Sequence, residues 1–190
     1  MISIKRLLIL LLILNFNIFC NAKEIKILAT VNDQIITSYD VYKEKNINNI
    51  IGNKNFKNNN INLILNLMIE SKLKEIEFKK INLKINEELV EKEFSKIMQP
   101  LKGRDLDSEI KIFLKNKVRI NLKWAQLIRM KYGNSLEVNM NEINLIIKEK
   151  KIPSEKKQLL INQYKNKKFQ IFSKTYLNEI KKNYFIKKYI

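Results

Sequence analysis

The sequence predicts a mainly α-helical, multi-helix fold whose small N-terminal β-hairpin is joined by a strand from the C-terminus. Three observations predict it. Ile25, Ile27, Ala29 and Val31 alternate with Lys26, Leu28 and Thr30 ahead of Asn32-Asp33, the period-two pattern of a strand running into a tight turn. Between positions 61 and 132, apolar residues recur instead at steps of three and four, which is the helical period. The closing run Tyr184-Phe-Ile-Lys-Lys-Tyr-Ile190 is aromatic and β-branched, as strands are.

Ahead of the hairpin, Lys5 and Arg6 precede the unbroken apolar run Leu7–Leu14, which weakens toward Phe19. Cys20-Asn21-Ala22 then sets small residues three before and one before a cut after Ala22. That is the layout of a secretory signal peptide. Residues 1–22 are expected to be removed on export, leaving one domain over 23–190. The apolar run falls short of the about 20 residues of a membrane span; an uncleaved anchor is the alternative. The bulky Phe19 ahead of Cys20 speaks against lipidation.

The elements follow in order. Asn32-Asp33 tolerates the positive φ of a two-residue hairpin turn, and Gln34 to Ile36 forms the returning strand. Thr37 with Asp40 three residues on reads as a capping box, opening a helix over 38–51. An Asn-rich connector spans 52–60. A wide apolar stripe (Ile61, Ile64, Leu65, Met68, Ile69, Leu73, Ile76) predicts a helix over 61–80. Asn86-Glu-Glu opens the next helix with a cap and two acids where the macrodipole favours them. Leu89, Val90, Phe94, Ile97 and Met98 form its inner face, and Pro100 ends it. A long helix over 106–132 stops at Gly133, and a short one covers 141–150. Pro153 sits at a first-turn position and starts the last helix, to about residue 182. The regions are thus a hairpin at 23–37, a helical body at 38–150 and a C-terminal helix and strand at 153–190.

Composition removes most chemistry. The sequence holds no histidine, and its single cysteine is Cys20, within the expected leader. Zinc, copper and haem sites of the usual kinds lose their ligands, and Ser-His or Cys-His nucleophile pairs lose their bases. The acidic residues are scattered at helix-surface spacing with no calcium-loop pattern. Ser71-x-x-Lys74 and Ser154-x-x-Lys157 match a penicillin-binding pattern, but chance supplies such matches in so lysine-rich a chain and the supporting motifs are missing. The expectation is no enzyme, no cofactor and no metal.

The formal charge is +18, from 37 basic against 19 acidic residues. Such a balance suits acidic proteins, anionic membranes or nucleic acid. The excess is lysine spread along every segment, without an arginine cluster. It accompanies abundant Asn and Ile, the mark of AT-rich codon usage. Biased composition and a dedicated basic surface both account for it.

Three stretches carry a family resemblance: Val31-Asn-Asp-Gln-Ile-Ile-Thr-Ser-Tyr-Asp-Val41, Leu63-Ile-Leu-Asn-Leu-Met-Ile-Glu-Ser-Lys-Leu73 and Leu83-Lys-Ile-Asn-Glu-Glu-Leu-Val-Glu-Lys-Glu-Phe94. They resemble the N-terminal domain of SurA-type periplasmic chaperones. Trp124-Ala-Gln-Leu-Ile-Arg129 is similar to the late part of that domain's long helix, and Tyr176–Ile186 to the family's C-terminal helix and strand. The family usually carries parvulin-type prolyl isomerase domains between the last two of these, each about one hundred residues, a whole domain's length. Here only the span from Gly133 to Pro153 intervenes, and no histidine is present to build a parvulin site.

The resemblance therefore implies a chaperone core without the isomerase. It would be a holdase for unfolded outer-membrane proteins or other exported polypeptides, whose strands present alternating apolar and aromatic side chains. Phe94, Met98, Met130, Tyr132 and Met140 lie near helix ends and connections and are the candidates for contacting such clients, methionine being able to repack against varied partners. Weak contact with anionic membrane is a further expectation, and a basic envelope protein on membrane or nucleic acid is the alternative. Nucleic acid is not the expected partner, because no recognition helix or stacking motif is visible.

Overall fold

The computed structural model describes residues 24–52, 60–104 and 106–189. The expected signal peptide and most of the Asn-rich connector lie outside the described residues. Among these, six α-helices and three strands form, with short 3-10 turns between.

Strand β1 (Ile27–Val31) turns at Asn32, whose φ of 51° is positive, into β2 (Gln34–Thr37). The register pairs Val31 with Gln34, Thr30 with Ile35 and Ala29 with Ile36. An irregularity between Ile27 and Ala29 breaks the inward alternation expected of Ile25 and Ile27. Both are exposed, whereas Ala29, Val31 and Ile36 are fully buried.

The capping box forms as expected. The Asp40 N–H donates to Thr37 Oγ1 at 3.2 Å, and the Thr37 N–H donates to the Asp40 carboxylate at 2.8 Å. These bonds satisfy two donors at the start of helix α1 (Ser38–Ile50). Strand β3 (Ile186–Lys188) lies antiparallel on the other side of β1, giving the order β2-β1-β3. The two ends of the described chain therefore share one sheet.

Helix α2 (Ile61–Lys80), capped by Asn60, covers the inner face of that sheet. Its stripe Ile64, Leu65, Ile69 and Leu73 is buried together with Ala29, Val31 and Ile36. Helix α3 (Glu87–Met98) is capped by Asn86 and helix α4 (Ser108–Tyr132) by Asp107. Trp124, Leu127 and Ile128 of α4 join the main core. Gly133 does not stop α4 in the left-handed way expected. Its φ is −43°, and the chain runs on into a 3-10 turn, Gly133–Leu136.

Helix α5 (Met140–Glu149) follows, capped by Asn139. Pro153 precedes a 3-10 turn, Ser154–Lys156, and only then does helix α6 (Lys157–Lys181) begin. From α6, Tyr176, Leu177 and Ile180 enter the main core. A second, smaller core gathers Ile47, Leu101, Leu106 and Leu114, with Phe94, Met98, Ile110 and Phe113 packed against it.

An aromatic seam joins α4 to α6. Trp124 stacks on Tyr176 with ring centroids 5.6 Å apart and planes at 15°, and Tyr132 stacks on Phe172 at 4.9 Å. The Trp124 Nε1–H donates to Ser173 Oγ at 2.7 Å, giving this buried indole the partner it needs. No helix among the described residues is long and apolar enough to cross a membrane.

Candidate functional site

Helices α3 and α4 form an antiparallel pair. Glu87 meets Arg119 and Glu91 meets Lys115, so the chain climbs one helix as it descends the other. The Arg119 contact is bidentate, Nε to Oε1 at 2.9 Å and Nη2 to Oε2 at 2.7 Å, the fork geometry that matches guanidinium to carboxylate. The bond from Arg119 holds the Glu87 carboxyl below its ordinary range. Because α4 is the longer helix, its later turns run past the start of α3, where cover gives out.

Two grooves open there. One, of about 430 Å³, is lined by Ile85, Leu89, Leu122, Gln126, Arg129 and Met130. Its wall is largely apolar and open: Met130 is 64% exposed and Leu89 39%. The other, of about 330 Å³, has Phe78, Leu83 and Ile120 at its base and Lys79, Arg119 and Lys123 around it, with Glu75 the one carboxylate in its wall. The segment between α2 and α3 shapes this second groove. Asn82 takes a positive φ of 46°, and the Leu83 N–H donates to the Phe78 carbonyl at 2.9 Å, which turns Leu83 inward.

The five residues named from sequence fall into separate surroundings. Met130 lies in the apolar groove. Phe94 and Met98 are half-buried against the smaller core. Tyr132 packs on the main core and stacks on Phe172. Met140 is exposed at the first turn of α5. They do not line one cleft.

Sequence reasoning passed over Ile85, Leu122, Gln126 and Arg129, and it placed Leu89 inside. The signal was faint. Leu122, Gln126 and Arg129 are spaced to share a helix face with Met130, but a polar residue and a charged one interrupt it.

Polar chemistry gathers where α2 meets the C-terminal elements. The hydroxyls of Tyr176 (2.6 Å) and Tyr184 both donate to the Glu77 carboxylate, and Lys80 pairs with it at 3.0 Å. Burial alone would raise the Glu77 carboxyl, but the bonds from Tyr176, Tyr184 and Lys80 outweigh it and leave the group below its ordinary value. Burial, followed by the bond to Glu77, pushes the Tyr176 hydroxyl well up. One turn earlier, burial lowers the Lys74 ammonium, which sits 5.3 Å from the Trp124 ring. These groups bind α2 to the C-terminal elements. Among the described residues, no three His, Cys, Asp or Glu side chains gather as metal ligands.

A scan against protein-family models finds no match for this chain, and a search of curated proteins finds none either.

Proposed function

We propose that the chain is a periplasmic holdase chaperone. In this reading it binds unfolded outer-membrane proteins or other exported polypeptides, keeps them from aggregating, and does not isomerise prolines. One observation carries the reading: the open apolar groove between α3 and α4, with Met130 and Leu89 presented to solvent. A shallow apolar surface holds many sequences weakly, which is what a promiscuous binder requires. The net charge, +18 for the full sequence and +16 once Lys5 and Arg6 leave with the expected leader, favours encounter with acidic clients. The expected leader supports the compartment, and the absence of histidine from the sequence supports the lack of isomerase chemistry.

The test is suppression of light scattering when an unfolded porin is diluted into buffer with the purified protein. Suppression at stoichiometric ratio, relieved by an unfolded competitor and not by DNA, is the expected result. The charge also favours a second reading, a basic protein at an anionic membrane. Binding to anionic vesicles with no effect on the porin would establish that reading instead.

A further inference from the structure

With β1 in the middle, the outward edges of the sheet belong to β2 and β3. An antiparallel ladder alternates, so each edge residue turns its backbone groups either toward its neighbour strand or away from it. The Asn32 N–H donates to the Phe185 carbonyl at 2.8 Å, and the Tyr189 N–H donates to the Leu28 carbonyl at 2.9 Å. Phe185, Lys187 and Tyr189 therefore address β1. The N–H and C=O groups of Ile186 and Lys188 point the other way, and no described residue takes them. The edge of β2 is narrower. There the Thr37 N–H is taken by Asp40, and only Ile35 faces out.

The side chains sort by the same alternation. Ile186 packs on the main core and the Lys188 ammonium bonds Asn66 Oδ1 of α2 at 2.7 Å, so both face the helices. Phe185, Lys187 and Tyr189 occupy the opposite, uncovered face. Phe185 is 69% and Tyr189 50% exposed, and the Lys187 ammonium lies 4.9 Å from the Tyr189 ring. The open edge is thus bordered by two aromatic side chains and a cation.

Edge strands are commonly blunted by lysine, which keeps like edges apart. Lys187 and Lys188 do this against a second copy, whose β3 would bring the same charges. Against an acidic strand the same lysines attract. We propose that the outer edge of β3 is a strand-addition site for an extended polypeptide segment that carries an acidic residue between two aromatic ones at every second position, so that all three share one face. Its backbone pairs with the free groups of Ile186 and Lys188, its rings lie on Phe185 and Tyr189, and its carboxylate sits beside Lys187. Main-chain bonds supply affinity and the flanking side chains supply selectivity. The class of ligand rests on the holdase reading; the edge geometry does not.

The test uses the whole protein and a fluorescein-labelled peptide that places an acidic residue between two aromatic ones at every second position. Lys188→Pro removes an outward N–H while sparing the ladder to β1, and Lys188→Gln controls for the lost charge. The expected results are slowed amide exchange at Ile186 and Lys188 on peptide addition, and binding about tenfold weaker in Lys188→Pro than in Lys188→Gln, the worth of a paired backbone hydrogen bond. Should Lys188→Pro fail to fold, the exchange result on the unaltered protein decides alone. Equal binding by two folded variants, or protection confined to the α3–α4 groove, overturns the edge site and leaves the holdase reading intact. Slowed exchange at Ile186 and Lys188 without any suppression of porin aggregation supports the edge site and removes the holdase reading instead.

Discussion

Asn32 and Phe185 are joined by two hydrogen bonds although 153 positions separate them. The Asn32 N–H donates to the Phe185 carbonyl at 2.8 Å, and the Phe185 N–H donates back to Asn32 Oδ1 at 3.0 Å. Asn32 also carries the positive φ that the hairpin turn needs, so one residue closes the turn and seats the C-terminal strand. Asn32→Gly keeps the backbone freedom and loses only the side-chain bond, and is expected to cost about 1 kcal/mol. Asn32→Ala adds the strain of a left-handed residue and should cost about 1 kcal/mol more. Denaturant titration of the two variants measures both. Equal stabilities would show that the turn does not require the left-handed conformation.

Glu77 and the tyrosines bonded to it make the stability of the fold depend on pH. Its carboxyl lies below the ordinary value of 4.5, so its contribution is full above that value and is lost as pH falls through the depressed one. Tyr176 and Tyr184 are both raised above 10.0. Their contribution is full below 10.0 and is lost as pH rises through the raised values. Tm is therefore expected to hold across neutral pH and fall at both extremes. Glu77→Gln should flatten the acid limb and Tyr176→Phe the alkaline one. An acid limb unchanged in Glu77→Gln would assign it to other carboxylates.

Trp124 ties α4 to α6 through its stack on Tyr176 and its bond to Ser173. Trp124→Ala should cost about 3–5 kcal/mol, the usual loss for a large buried aromatic. Trp124→Phe should cost less, since it keeps an aromatic ring and gives up the indole bond. Near-ultraviolet circular dichroism together with urea titration separates lost stacking from global unfolding.

The α3–α4 groove is separable from stability. Met130 and Leu89 are exposed, so Met130→Glu and Leu89→Asp should change Tm little, within the about 0.5 kcal/mol usual for surface sites. The holdase reading requires both to weaken suppression of porin aggregation. Ile112→Asp, at an exposed residue outside the groove, should leave it unchanged. Equal activity in all three variants would move client contact elsewhere on the protein.

The sequence made local structure legible wherever one residue's chemistry decides it. Thr37 with Asp40 and Asn86 marked helix starts because each carries the oxygen that an unpaired N–H requires, and Asn32 marked the turn. Cover was the illegible part. Periodicity tells which face of α3 is apolar, yet of its expected inner residues Leu89, Val90, Phe94, Ile97 and Met98 only Val90 is fully enclosed. The helix has α4 on one side and little on the other, and partner geometry is not written in spacing. Glu44 and Asn48 were illegible for the opposite reason. Charged and amide side chains are mostly exposed, but these two are buried where the Asn48 amide donates to the Glu44 carboxylate at 2.9 Å and Lys117 of α4 pairs with it. A pair four residues apart is compatible with either setting.

The place of β3 has a consequence for the order in which the molecule is made. Residues 186–188 leave the ribosome more than 150 positions after β1, and until they arrive the central strand has a neighbour on one side only. A chain that stops short of Ile186 lacks both the β3 ladder on β1 and the packing of Ile186 on the main core. A protease that trims residues 186–188 would strip the central strand of that neighbour.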